Sequence, residues 1–448
     1  MYKKLIIFFS FLVIFLFSVK TSLAIVDPTS VPNNKFGIHI FSEKDLENAR
    51  ALVNSNGGDW GYVTLVITEA ERDHERFQSV FDQMRRLHLI PIIRLATKAS
   101  GNIWDAPQEA EIDKWVNFLS SLNWVVQNRY VVINNEPNHA GEWGGRIDPA
   151  GYASYLEKIS RKLKSASSDF FILPAGLDPS SANTASAMTE SRFLTQMLKA
   201  NPKVFDYIDG WTSHAYPNTS TSIYNRELSL IGKDLPVFVT ETGWPRNMYG
   251  EEQIGKNLVS TYQNVWNNPK VIAVTPFILD YINAPYDVFS WEKPDGTFYG
   301  FYSEVQKLPK VTGSPVQVES GQILAAFVQP VIFTGVDFVG AIIAKNTGQS
   351  IWAQNNISVG NETGDFYIKG FSLNNIEPMR LGLVLFRAAQ SQSEGIYTNS
   401  LFLNGSNGQK LTNSFSIEAA LVTLNKVQIQ GFFGKLLQLF SFRNFITK

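Results

Sequence analysis

Eight short apolar runs, at residues 36–40, 62–67, 90–95, 130–134, 170–175, 210–214, 237–240 and 272–278, set the terms for this chain. They are rich in β-branched and aromatic residues and lack the polar alternation of a half-exposed strand. Each therefore reads as a strand covered on both faces. Between them, stretches such as 43–54, 75–87, 109–122 and 149–165 carry apolar residues at helical spacing with charges on the other side. Asp148-Pro149 supplies a cap residue followed by proline at the first helical position. Eight β-then-α units in this order predict an α/β chain with a closed (β/α)8, or TIM, barrel. A doubly wound sheet has no need of eight units. No G-x-G-x-x-G phosphate loop follows the first strand at Phe36-Gly37-Ile38-His39.

The texture changes after Val311-Thr312-Gly313-Ser314-Pro315. Short strand-like runs at 323–328, 336–344, 366–368, 381–386 and 396–403 alternate with turn clusters, among them Asn346-Thr347-Gly348, Glu362-Thr363-Gly364-Asp365 and Asn404-Gly405-Ser406-Asn407-Gly408. That pattern predicts a C-terminal β-sandwich. Asn346-Thr347-Gly348-Gln349-Ser350-Ile351-Trp352 and the later Glu394-Gly395-Ile396-Tyr397 resemble immunoglobulin-like domains marked by N-x-G-x-x-x-W. Trp352 is expected to be core rather than a ligand contact. The expected organisation is a leader at 1–24, a barrel at 30–312, a sandwich at 316–426 and a tail at 427–448.

Both ends carry signals of export or surface contact. Lys3 and Lys4 precede an apolar run at 5–19 and the small-x-small site Ser22-Leu23-Ala24, the layout of a secretory signal peptide. The run is short of the roughly 20 residues that span a bilayer comfortably. An uncleaved anchor is the other reading, and both predict a secreted or cell-surface protein. At the far end, Phe432, Phe433, Leu436, Leu437, Leu439, Phe440, Phe442 and Phe445 are interspersed with Lys435, Arg443 and Lys448. This reads as an interfacial amphipathic helix, a helix docked on the sandwich, or a flexible tail. Contact with a membrane or cell surface through either end is therefore an expectation. There is no cysteine, which excludes disulfides and thiolate metal sites. A core of this size does without disulfides. A formal charge of −1 offers no attraction to nucleic acid.

Two motifs carry chemistry. The fourth strand runs into Asn134-Asn135-Glu136-Pro137-Asn138, and the seventh into Thr240-Glu241-Thr242-Gly243-Trp244-Pro245. In a (β/α)8 barrel the carboxyl ends of the strands meet in one cavity, so two glutamates far apart in sequence converge there. A structural glutamate closing an apolar run is costly unless paired. Cleavage of a glycosidic bond needs such a pair: one carboxyl protonates the leaving oxygen, and the other faces the oxocarbenium-like carbon. The two roles require different protonation states at one pH, so the surroundings must separate the two pKa values.

The two motifs, in this order and at strands four and seven, resemble the clan A glycoside hydrolases. The resemblance covers the barrel region. It implies a retaining, double-displacement hydrolysis of β-linked poly- or oligosaccharides, with Glu136 as acid/base and Glu241 as nucleophile. It places Asn135 on the sugar 2-hydroxyl. Ser213-His214-Ala215-Tyr216-Pro217 ends the sixth strand; the resemblance puts Tyr216 as a donor to Glu241 and His214 as an orienting residue behind it. Arg94 and His39, near the ends of strands three and one, are expected on the same face. Trp291, past strand eight, resembles the clan's sugar-platform tryptophan; Trp244, inside the nucleophile motif, is a further candidate for substrate contact or support, with packing as its other reading, and Trp291 is preferred to it as the subsite wall. The E-T-G-W-P resembles β-1,3-glucanase-like families, and the N-E-P-N resembles xylosidase-like and cellulase-like families, so the sugar stays open. Aromatics make up 13% of the chain; core packing takes most, and the rest suit the C–H faces of pyranose rings.

No cofactor is needed on this reading. With five histidines and no H-E-x-x-H, metal catalysis has no motif, and no G-x-S-x-G marks a serine nucleophile. Two other readings use the same residues. One is a non-catalytic carbohydrate-binding or cell-surface scaffold protein on the barrel, and the other is a transglycosylase.

Overall fold

The computed structural model describes residues 25–216, 223–362, 366–390 and 393–423. The leader at 1–24, the tail at 427–448 and part of the turn at 362–365 lie outside the described residues.

Eight strands form the barrel of the first part: β1 (Gly37–Ile40), β2 (Gly61–Thr68), β3 (Leu89–Ala96), β4 (Arg129–Ile133), β5 (Phe170–Pro174), β6 (Trp211–His214), β7 (Val237–Glu241) and β8 (Val271–Val274). They are parallel, in the runs β1-β2-β3-β4-β5 and β6-β7-β8. The runs join into a closed barrel. A parallel bridge links Phe36 to Val274, and Asp209 N–H donates to Ile172 O at 2.9 Å. Every residue of β1, β5, β6, β7 and β8 is buried, as both-face coverage demands. The eighth strand is shorter than the apolar run at 272–278. Beyond Val274 the backbone leaves the sheet, and Phe277 N–H bonds across to Thr242 O at 2.8 Å.

The helices are α1 (Leu46–Val53), α2 (His74–Arg86), α3 (Ile112–Ser121), α4 (Pro149–Ala166), α5 (Glu190–Ala200), α6 (Ile223–Ile231), α7 (Glu251–Asn264) and α8 (Gly300–Lys307). Helix α4 begins where its capping pair requires: Asp148 Oδ1 accepts from Gly151 N–H at 2.8 Å, and Pro149 opens the first turn.

The second part is a β-sandwich. Its strands are β9 (Gly321–Phe327), β10 (Val331–Phe333), β11 (Phe338–Asn346), β12 (Ile357–Asn361), β13 (Tyr367–Leu373), β14 (Leu381–Ala389), β15 (Gly395–Gly405) and β16 (Phe415–Val422). They build one sheet in the order β9-β11-β14-β13 and another in the order β10-β16-β15-β12. Trp352 is fully buried. Its approach sets the size limit at Gly321, where a Cβ would come within 2.1 Å of the indole. Asn346, at the head of the N-x-G-x-x-x-W segment, fixes that corner. Its Nδ2 donates to Ser350 O and Ile376 O at 2.8 and 2.9 Å, and its Oδ1 accepts from Gly348 N–H at 2.9 Å.

The sandwich sits against the lower end of the barrel, on the loop that leads into β4. Gln349 Nε2 donates to Val126 O at 3.0 Å, Gln317 Nε2 to Val125 O at 2.8 Å, and Asn123 Nδ2 to Gly348 O at 3.0 Å. Gln127 N–H donates to Val316 O at 2.8 Å. Glu136 follows the opposite end of β4, so the cleft and the sandwich occupy opposite ends of the barrel.

Candidate active site

Strand β4 ends at Ile133, and the next three residues turn sharply into the cavity. Asn134 and Glu136 both take positive φ, +67° and +29°. Asparagine tolerates that region; for glutamate it is uncommon and marks a strained position of the kind that collects at active sites. Glu136 is held there by its own N–H on Gly176 O at 3.1 Å, and its carbonyl accepts from His139 N–H at 2.9 Å. Asn138 ties the loops together, with Nδ2 on Asp178 O and Met188 O at 3.0 and 3.1 Å.

Strands β6 and β7 end side by side, with His214 in register with Glu241. His214 Nδ1 lies 2.7 Å from Glu136 Oε1 and 3.8 Å from Glu241 Oε2. The imidazole therefore stands between the two carboxylates and touches Glu136 directly, which is a closer role than that of an orienting residue behind Glu241. Its ring lies close against Gly176, where a Cβ would meet His214 Cδ2 at 2.2 Å. Glu241 accepts from Arg94 Nη1 through Oε1 at 2.6 Å and from the Tyr216 hydroxyl through Oε2 at 2.8 Å. Arg94 Nη1 also donates to Asn135 Oδ1 at 2.6 Å.

The electrostatics follow from these contacts. Burial alone would push the Glu241 carboxyl up. The charges of His214 and Arg94 and the Tyr216 hydrogen bond outweigh it and hold the group below the ordinary carboxylate range. Burial likewise opposes charging His214, yet Glu241 and Glu136 together raise its pKa. Burial brings His39 down to about 3, so it is a neutral imidazole. Burial and the neighbouring Glu241 and Glu136 raise the Tyr216 phenol, so it remains a donor.

These groups line one open cleft of about 360 Å³ at the carboxyl ends of the strands. It brings together Glu136, Glu241, Asn135, Arg94, His39 and Tyr216, with His214 beneath. Two tryptophans lie elsewhere. Trp291 is not a platform: it is 3% exposed and packs edge-on against Phe301 at 5.2 Å. The reason is the path of the chain, because Trp291 N–H returns to Ile278 O and Leu279 O at 3.0 and 3.1 Å and turns the indole onto the barrel flank. Trp244 is partly buried against the barrel core. The aromatic wall of the cleft is Phe277, Tyr281, Tyr286 and Phe289, with Phe41 edge-on against Tyr281 at 5.3 Å. Its only sequence signal is the aromatic density of residues 277–291.

The motifs also miss two acidic residues of the opposite wall. Asp178 pairs with His139 Nε2 at 2.9 Å. Burial opposes its charge, but His139, Ser180 and Ser181 hold its carboxyl low. Glu142, from the turn after β4, lines the cleft together with Trp104. Among the described residues, Glu136, His214 and Glu241 are the set whose ligand atoms converge, all within 4.8 Å of one another, on a scale that suits a metal ion. The contacts of His214 with Glu136 and of Arg94 and Tyr216 with Glu241 already occupy them.

Two convergent glutamates at the end of a barrel, one fixed by a cation and a phenol and the other by an imidazole, define the class of site: a carboxylate pair able to do acid/base and nucleophilic chemistry. No family model and no curated protein sequence matches the chain. Among solved structures it is similar to a family 39 glycoside hydrolase from Bacteroides cellulosilyticus, at 13% identity over 81% of this chain and 82% of that one, with a TM-score of 0.45. It is also similar to a family 128 endo-β-1,3-glucanase from Sorangium cellulosum, at 15% identity over 61% and 98% of the two chains and a TM-score of 0.44. A family 30 endoxylanase from Clostridium papyrosolvens matches at 10% identity over 81% and 98%, with a TM-score of 0.40.

Proposed function

We propose that the chain is a retaining glycoside hydrolase acting on β-linked poly- or oligosaccharides. The observation that carries this reading is the carboxylate pair. Oxygens of Glu136 and Glu241 lie within 4.8 Å of each other. Inverting enzymes keep about 6.5–9.5 Å for a water between the groups, whereas retaining enzymes hold them at about 5–5.5 Å. Glu241, held anionic by its three cationic or donor neighbours, attacks the anomeric carbon and forms a glycosyl ester. Glu136 gives its proton to the departing glycosidic oxygen, then takes one from the water that cleaves the ester. His214, 2.7 Å from Glu136, holds that carboxyl in place through both steps. The aromatic wall supplies flat apolar faces for sugar rings.

The assignment is tested on an aryl β-glycoside. Glu241→Ala is expected to lose on the order of 10⁴-fold or more in kcat. Added azide should restore turnover and give a product of inverted anomeric configuration. Glu136→Ala should impair substrates with poor leaving groups far more than activated aryl glycosides. Wild-type activity in either variant on a natural substrate would overturn the pair. A panel of β-glucans, xylans, mannans and galactans identifies the sugar, and product analysis with added sugar acceptors separates hydrolysis from transglycosylation. We further propose export to the medium or cell surface, on the strength of residues 1–24; the N-terminal sequence of the expressed protein tests cleavage after Ala24. Among the described residues, no helix is long and apolar enough to cross a membrane.

A further inference from the structure

The outer face of one sandwich sheet is apolar where solvent should meet it. In the sheet β9-β11-β14-β13 the pairing puts Ala341 opposite Leu385, Ile343 opposite Leu383 and Lys345 opposite Leu381, and β9 adds Phe327 opposite Ala341. Side chains alternate across a strand, and Phe338, Ile342, Val384 and Phe386 take the buried positions. The residues between them therefore point outward together. Phe327, Val339, Leu381, Leu383 and Leu385 are 42–61% exposed, and Ile343 among them is half-buried. The other sheet shows what a solvent face looks like on this domain: there Thr398 pairs with Glu418, and Ser400 with Ser416, on the outward side. A contiguous apolar surface across the central strands of a sheet marks an interaction face.

Three observations identify the occupant as the segment 424–448. The first is where the described chain stops. Val422 pairs with Phe333 at the end of β16, and the Thr423 and Thr334 hydroxyls are 3.3 Å apart. Gly335 N–H donates to Gln390 O, just past β14, and β11 begins at Phe338. The chain therefore leaves the sandwich at the end where β14 stops and β11 starts, the end at which Val339 sits. The second is the pattern of the segment. Phe432, Leu436, Leu439 and Phe440 recur at the spacing of one helix face, joined by Phe433 and Leu437, with Gly434, Gln438 and Ser441 on the opposite side. A helix over 432–441 is about 15 Å long, and β11 from Val339 to Ile343 covers about 14 Å. Residues 424–431 cross to it at up to about 3.3 Å each. The third is charge. A helix lying on a membrane surface carries a polar face rich in Lys and Arg, and 432–441 has Lys435 alone. A tethered segment also meets its own sandwich at an effective concentration on the order of millimolar, well above that of a second copy in dilute solution.

We propose that residues 432–441 dock as an amphipathic helix on the outer face of the β9-β11-β14-β13 sheet, apolar side against Val339, Ile343, Leu383 and Leu385. The inference is independent of the hydrolase reading. Docking removes both apolar surfaces from water at once.

The chain has no cysteine, so a single introduced thiol reports on the face. Leu383→Cys is labelled with a maleimide in the full chain, with and without Leu436→Asp and Phe440→Asp in the segment. A segment docked nine-tenths of the time slows labelling about tenfold, and the two aspartates should speed it by that factor. Thr398→Cys, on the polar sheet, should label at one rate in both backgrounds. Trypsin reads the same contact with the segment unaltered. Cleavage after Lys435 should be about tenfold faster in Leu383→Asp/Leu385→Asp than in wild type. Both replacements fall at exposed positions and leave the core intact. Equal labelling rates in the two backgrounds, or equal cleavage rates, would overturn the inference. So would protection of Leu383→Cys that fades on dilution together with a dimer in light scattering, which assigns the face to a second copy. Protection of Lys435 that appears only with phosphatidylserine vesicles would overturn it too, by assigning the segment to a membrane.

Discussion

At the scale of single residues, the cleft is a set of opposed charges whose balance decides which groups carry protons. Arg94 is the fixed cation of the set, 2.6 Å from Glu241. Replacing it with methionine removes one of the charges that hold the Glu241 carboxyl low and lets burial push the group up. The proposed nucleophile must be ionised, so the acidic limb of the pH profile of kcat/KM should move to higher pH in Arg94→Met. Glu142 gives a stability counterpart. Burial, the opposing pull of Arg94 and the repulsion of Glu136 leave its carboxyl raised to about 7. The folded chain therefore binds that proton more tightly than the unfolded chain does, and wild-type stability falls as pH rises from the ordinary carboxylate range toward 7. Glu142→Gln has no proton to lose. Its melting temperature should gain on wild type across that interval and hold a constant lead above it.

At the scale of elements, the ends of β4 to β7 were legible and the loops beyond them were not. Strand ends are legible because a both-face-buried run must stop where the first polar group reaches the cavity, as at Glu136 and Glu241. Glu142 was invisible because a 3-10 turn has no periodicity and its partners, Trp104 and Ser186, come from other loops. The three strands Val331–Phe333, Ile357–Asn361 and Phe415–Val422 lie outside the apolar runs of the sequence. The last is instructive. Glu418-Ala419-Ala420-Leu421 favours helix by propensity, yet Ile417, Ala419 and Leu421 are buried in alternation, and sheet pairing overrides the local preference. One element-level device is the meeting of the β5 and β6 ends. Gly176 follows β5 and leaves room for the His214 ring. Gly176→Ala should displace the imidazole from Glu136 and lower kcat on the order of 10²-fold. Cooperative unfolding should be retained, which calorimetry checks.

At the scale of the whole molecule, the barrel has its chemistry at one end and its partner domain at the other. Gln349 joins the two, its Nε2 on Val126 O and its Oε1 accepting from Val318 N–H at 2.8 Å. Gln349→Ala leaves two backbone groups at the junction without these partners, which costs about 1–3 kcal/mol for each that stays dry. Denaturant unfolding should show this loss, with kcat unchanged, because none of the described residues of the sandwich lines the cleft. A fall in kcat at intact stability would show that the sandwich reaches the active site by another route.

The sequence by itself determined the barrel, the sandwich and the two glutamates at strand ends, because burial on both faces, turn chemistry and the cost of a buried charge act locally along the chain. Tertiary structure decided the rest: that His214 stands against Glu136, that Arg94 holds Glu241 and Asn135 with one nitrogen, and that Phe277 rather than Trp291 faces the cleft. Those contacts join residues dozens to more than a hundred positions apart. Their geometry depends on how the barrel closes and how its loops fold back, and neither leaves a period or a motif in the order of residues.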